Sequence, residues 1–101
     1  MQNNVYTIEE IRNILNENMK YLAEKFSVSR LFLFGSYAKK LQTPESDIDL
    51  LAVFAKPVDM FDFIDLQEYL SNLFEKKIDL GTPDSLKKFV KEIILKEAIE
   101  I

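Results

Sequence analysis

The sequence predicts an α/β (α+β) fold: a small mixed sheet of three strands, or slightly more, flanked by helices in the order α-β-α-β-α-β-α. Three observations predict it. The apolar run Leu31-Phe32-Leu33-Phe34 stops at Gly35-Ser36, the pattern of a strand ending in a tight turn. A second apolar run reaches Phe54 and opens with Asp47 and Asp49 at i and i+2. Elsewhere apolar residues recur every three or four positions, the period of an amphipathic helix.

The first helix is announced by Thr7 and Glu10 as a capping box, with Tyr6 and Ile11 placed as a hydrophobic staple. Ile8, Ile11, Leu15, Met19, Leu22 and Phe26 give it one apolar face, whose role is packing. Val28 to Phe34 reads as a strand with Leu31 and Leu33 on one face and Phe32 and Phe34 on the other. Ser36 to Leu41 has the composition of a short helix, and Pro44 in the following loop opposes its continuation. Asp47 to Phe54 is the second strand, with Leu51 and Val53 on the face of the two aspartates. Lys56-Pro57 ends it. Asp59 then caps a helix with Asp62 in its first turn and Phe63, Leu66, Leu70 and Leu73 as its buried stripe. Lys77 to Gly81 is a short strand carrying Asp79. Thr82 and Pro83 start a last helix, and Leu86, Phe89, Val90, Ile93, Ile94, Ala98 and Ile101 extend its apolar face to the final residue.

The totals bound the chemistry. The 101 residues are expected to form one domain over 1–101, and 48% apolar residues can fill its core. Cysteine and histidine are both absent, which removes thiolate sites, Ser-His catalysis and the commonest general base. Catalysis must run on carboxylates, lysines, hydroxyls and any ion they bind. The net charge is −4 and the lysines are scattered, so nucleic-acid binding is not expected. No apolar run approaches the roughly 20 residues that span a bilayer. Met-Gln-Asn-Asn lacks a signal-peptide profile. A cytoplasmic protein is the default expectation.

Connectivity gathers the polar residues. A short link between the first two strands favours an antiparallel pair, and the helix between the second and third favours a parallel pair. Gly35-Ser36, Asp47-Asp49 and Asp79 then meet at one end of the sheet. Two carboxylates on one face repel unless a cation lies between them, and a divalent ion is the usual one. Gly35 lets backbone approach closely, and Ser36 offers a hydroxyl and N–H to phosphates or, more blandly, caps the short helix. Lys39 reaches a phosphate or stays a solvated surface lysine. Ser46 orients Asp47 or simply closes its loop. Asp79 is a third ligand, or a strand-edge aspartate paired to Lys76 or Lys77. Asp59, Asp62 and Asp84 stand at helix starts, where caps explain them.

Gly35-Ser36-Tyr37-Ala38 followed by Ser46-Asp47-Ile48-Asp49-Leu50 resembles the G-S-x-A … S-D-x-D-L signature of the DNA polymerase beta-like nucleotidyltransferase superfamily. With the segment Lys77-Ile78-Asp79-Leu80, the chain looks most like its minimal nucleotidyltransferases, the MNT group. The resemblance implies the nucleotidyltransferase fold, two Mg2+ ions on Asp47, Asp49 and Asp79, and ATP as donor. It implies nucleotide contacts at Gly35 and Ser36. Tyr37, Lys39 and Lys40 stand where many minimal members carry Arg, Arg and Gly, so two phosphate forks are missing.

The family also implies the antitoxin half of an MNT–HEPN toxin–antitoxin pair. The expected activity is transfer of AMP to a hydroxyl, a tyrosine first of all, on a HEPN toxin partner that brings the acceptor. The alternative is a binding-only antitoxin or assembly subunit with a decayed site, and a weaker one is transfer to a small molecule.

Overall fold

The computed structural model of the chain describes residues 6–35, 43, 46–82, 92, 96 and 98–101. The expected helix over Ser36–Leu41 and most of the expected last helix, including Asp84, lie outside them. Glu92 and Lys96 are in helical conformation.

Helix α1 (Ile8–Phe26) starts where the sequence says it should. Thr7 Oγ1 accepts from the Glu10 N–H at 3.0 Å, and Glu10 Oε1 accepts from the Thr7 N–H at 2.8 Å. Two otherwise orphaned donors are satisfied reciprocally. Thr7→Ala is expected to cost about 1 kcal/mol, read as a fall of a few degrees in Tm by calorimetry. Tyr6 also ties this helix start to a distant helix end. Its hydroxyl donates to the Phe74 carbonyl at 2.7 Å, and its ring meets that of Phe74 edge-on at 5.3 Å. Ser27, at φ 61°, closes α1 in the left-handed conformation.

Strands β1 (Val28–Phe34), β2 (Ile48–Phe54), β3 (Ile78–Gly81) and β4 (Ile99–Glu100) form one sheet in the order β3-β2-β1-β4. β1 and β2 are antiparallel and β2 and β3 parallel, as the link lengths predict. Helix α2 (Met60–Phe74) makes the crossover, capped by Asp59, whose side chain accepts from the Asp62 N–H at 2.8 Å.

The register sorts the sheet into two faces, because directly paired residues share a side. Leu31 pairs with Ala52 and Leu33 with Leu50, and Ile48 pairs with Ile78. These residues are buried with Ile11, Leu15, Leu22 and Phe26 of α1 and Leu66, Leu70 and Phe74 of α2. The core therefore lies between the two helices and one face of the sheet. The opposite face carries Phe32 beside Leu51 and Phe34 beside Asp49, with Asp49 beside Asp79. Leu51 is buried there, while Phe32 and Phe34 are half-buried.

Two expectations need correction. The chain does not end as a helix: Ile99–Glu100 pairs antiparallel with β1, Leu33 opposite Ile99 and Phe32 opposite Glu100. The open edge of β1 takes this segment because a strand edge leaves unpaired N–H and C=O groups. Arg30 fastens it through a two-pronged ion pair with Glu100, 2.8 Å on each arm, and Arg12 donates to the Glu100 carbonyl at 3.3 Å. In α2 the buried stripe is Leu66, Leu70 and Phe74, while Phe63 and Leu73 are half-buried. The spacing of four keeps Phe74 under the sheet, against Tyr6.

Candidate functional site

The site is built at the edge where β1 ends and β2 and β3 begin. Gly35 turns the chain out of β1 at φ +76°, a conformation that L side chains rarely adopt. Its backbone is pressed onto Asp49: a Cβ there would collide with the Asp49 carboxylate. Across β2, Asp49 pairs in register with Asp79. Asp47 precedes β2 on the same side by strand alternation. The three aspartates and Gly35 therefore meet at one corner, which is the arrangement the connectivity predicts.

β3 is held at this corner by backbone bonds. The Ile48 N–H donates to the Lys77 carbonyl at 3.1 Å, and Gln67 of α2 donates to the Ile78 carbonyl at 3.0 Å. This fixes the backbone of Lys77 beside Asp47 and Asp79. Its ammonium lies 3.7 Å from Asp47 Oδ2 and 3.9 Å from Asp79 Oδ1. Of the two lysines named as partners for Asp79 in the sequence reading, Lys77 makes the contact, and it reaches Asp47 as well. The signal was its place two residues before Asp79, which puts both side chains on one side of a strand.

Asp49 is the most enclosed part of this cluster. Burial pushes its carboxyl up to about 6, helped by the Asp79 charge, a hydrogen bond with Asp79 and the Asp47 charge, while Lys77 pulls it back. A carboxyl raised in the folded state contributes stability that is full below its unfolded value, near 4, and is lost as pH rises through about 6. The shift alone would correspond to roughly 3 kcal/mol, and the partial exposure of Asp49 reduces that to about 1 kcal/mol. Asp49→Asn is accordingly expected to raise the Tm of the metal-free protein by about 5 °C at pH 7.5 and by almost nothing at pH 4.5. Calorimetry at the two pH values checks both the size and the sign.

As the side chains stand, no three carboxylates among the described residues surround a point suited to one metal ion. Asp49 stands beside Asp79 in the β2–β3 register, and Lys77 spans Asp47 and Asp79. The donor set still fits a divalent cation. It offers hard carboxylate oxygens on strand-fixed backbones, and a positive group is already drawn between two of them.

The remaining expected residues divide by position. The Ser46 hydroxyl accepts from the Thr43 N–H at 2.9 Å and lies 3.3 Å from the Thr43 hydroxyl, closing the loop into Asp47. Asp59 and Asp62 serve the start of α2. Ser36 and Lys39 lie outside the described residues, as do Tyr37 and Lys40.

The nucleotidyltransferase domain family model matches residues 8–101. A Methanocaldococcus jannaschii protein provisionally named a protein adenylyltransferase is 42% identical over 96 residues, spanning 94% of this chain and 98% of its own length. Protein adenylyltransferase MntA of Thermococcus cleftensis is 36% identical over 95 residues, spanning 94% and 96% respectively. A solved structure provisionally named a minimal nucleotidyltransferase superposes with a TM-score of 0.81 at 26% identity, covering 95% of this chain and 97% of that one. A chain from the complex of a tri-AMPylated Shewanella oneidensis HEPN toxin with its MNT antitoxin shares the fold, with a TM-score of 0.64 at 20% identity over 88% of this chain and 69% of that one.

Proposed function

The chain belongs to the nucleotidyltransferase domain family, and we propose that it acts as a single domain that transfers AMP from ATP to a hydroxyl of a HEPN toxin, tyrosine first of all, and so silences it. The observation that carries this reading is the convergence of Asp47, Asp49 and Asp79 on one corner with the Gly35 turn pressed against Asp49. The adenylyltransferase names of relatives at 36–42% identity support AMP as the transferred group. The toxin–antitoxin complex among the fold neighbours supports the choice of partner.

In the reaction, the acceptor oxygen bonds to the α-phosphorus of ATP. The bond from that phosphorus to the bridging oxygen breaks, and pyrophosphate leaves with the electron pair. Two Mg2+ ions held by Asp47, Asp49 and Asp79 would supply the positive charge that polarises the α-phosphate and acidifies the acceptor hydroxyl. Gly35, lacking a side chain, lets the turn lie directly against the Asp49 carboxylate, so that its backbone would stand beside phosphates bound to the ions held there. Asp79 would help activate the acceptor through the ion it holds, the hydroxyl proton passing to water.

The test is the intact mass of the cognate HEPN partner after incubation with this protein, Mg2+ and ATP. A gain of one or more AMP units supports the proposal; an unchanged mass contradicts it. A binding-only antitoxin is the second reading. It draws on Met60 and Phe61, which are 75% and 79% exposed on α2 beside the exposed Ile64. An unchanged partner mass together with a tight complex, insensitive to Mg2+ and ATP, would favour it.

A further inference from the structure

We propose that Lys77 is a built-in placeholder cation: its ammonium occupies the carboxylate cluster before the metal arrives and must be displaced for a divalent ion to bind. The inference rests on the metal reading of Asp47, Asp49 and Asp79 given above.

Three features of the corner carry it. The Lys77 ammonium spans two of the three carboxylates, at 3.7 Å from Asp47 and 3.9 Å from Asp79. Its backbone is not free to drift, because its carbonyl accepts the Ile48 N–H in the ladder that sets the register of β2 against β3. The side chain itself is 69% exposed, so it can swing out into water without breaking any packing. A fixed root with a solvated tip lets one cation leave as another enters. With the ammonium in place the cluster keeps Asp47 and Asp79 facing one point, and with it displaced the same oxygens become available to a metal.

The consequence is competition. A divalent ion entering the cluster loses the attraction that Lys77 was satisfying and meets the repulsion of a nearby positive charge. Lys77→Gln removes that competitor while keeping a side chain of similar length. It is expected to tighten Mg2+ and Mn2+ binding about 3- to 10-fold at low ionic strength, an effect that shrinks as salt is raised. It is also expected to lower the Tm of the metal-free protein, because the carboxylates lose their counter-ion. A merely structural lysine would lower the Tm without tightening the metal.

Isothermal titration of the full chain with Mn2+, at low and at physiological salt, decides the matter. Lys20→Gln, an exposed position on α1, controls for the change in net charge. Tighter binding in Lys77→Gln but not in Lys20→Gln is the expected result. Unchanged or weaker binding in Lys77→Gln, with wild type binding normally, overturns the placeholder role alone. If wild type takes up no Mn2+ at all, the metal reading of the site fails and this inference falls with it. Equal tightening in both variants assigns the effect to net charge and also overturns it.

Discussion

Replacing Asp47 and Asp49 together with asparagine is expected to lower AMP transfer at least about 1,000-fold, a loss of roughly 4 kcal/mol of transition-state stabilisation. The pair stands at the start of β2, with Asp49 in register against Asp79 and packed on Gly35. Asparagine keeps the shape of each side chain but withdraws the negative charge that would hold a divalent ion. The fold is not expected to suffer. Asp49 is half-buried among like charges, and its amide relieves that repulsion rather than adding to it. The variant should therefore melt no lower than wild type and still bind its partner. Loss of transfer with retained stability assigns the effect to chemistry; loss of both would assign these aspartates a structural role. If the variant neutralised the toxin as well as wild type does, the catalytic reading would be sunk.

Gly35→Ala is expected to produce the second largest effect, by a different route. At φ +76° an alanine is strained whatever the surrounding space, which costs on the order of 1 kcal/mol. The new Cβ would also meet the end of the Asp49 side chain. A carboxylate tip can move where backbone cannot, so the clash is relieved by turning Asp49 away from Asp79. The expected outcome is a Tm lower by several degrees and a loss of transfer of about 100-fold or more, since small misplacements at a reacting centre are costly. Divalent-ion binding should weaken in parallel. Stability that fell with transfer untouched would mean that the contact between Gly35 and Asp49 has no part in the site.

Much of this architecture was legible because it is written locally. The capping box of Thr7 and Glu10 and the Asp59 cap involve residues three apart, and both form as expected. The corner was legible through connectivity, since a short link and a helical crossover fix which strand ends lie together. β4 was hidden for the opposite reason. Ile99, Glu100 and Ile101 continue a helical spacing as readily as they alternate along a strand. What decides between them is remote: Arg30 meets Glu100 from 70 positions away, and the free edge of β1 supplies the ladder. Propensity gave way to tertiary pairing.

The fine arrangement at the corner was also only half visible. Lys77 was identifiable as a partner of Asp79, but its simultaneous reach to Asp47 depends on the register between β2 and β3, which sequence spacing does not specify. Phe74 likewise enters the core through Tyr6, 68 positions earlier in the chain.

The most direct test of the account follows the phosphorus. ATP labelled at the α-phosphate and ATP labelled at the γ-phosphate are each incubated with this protein, its HEPN partner and Mg2+, and the partner is then assayed for covalent label. Nucleotidyl transfer by the aspartate corner predicts label from the α-phosphate alone, lost on chelation of the metal and lost with Asp47 and Asp49 changed to asparagine. Label from the γ-phosphate, or α-label undiminished in the double variant, would contradict it.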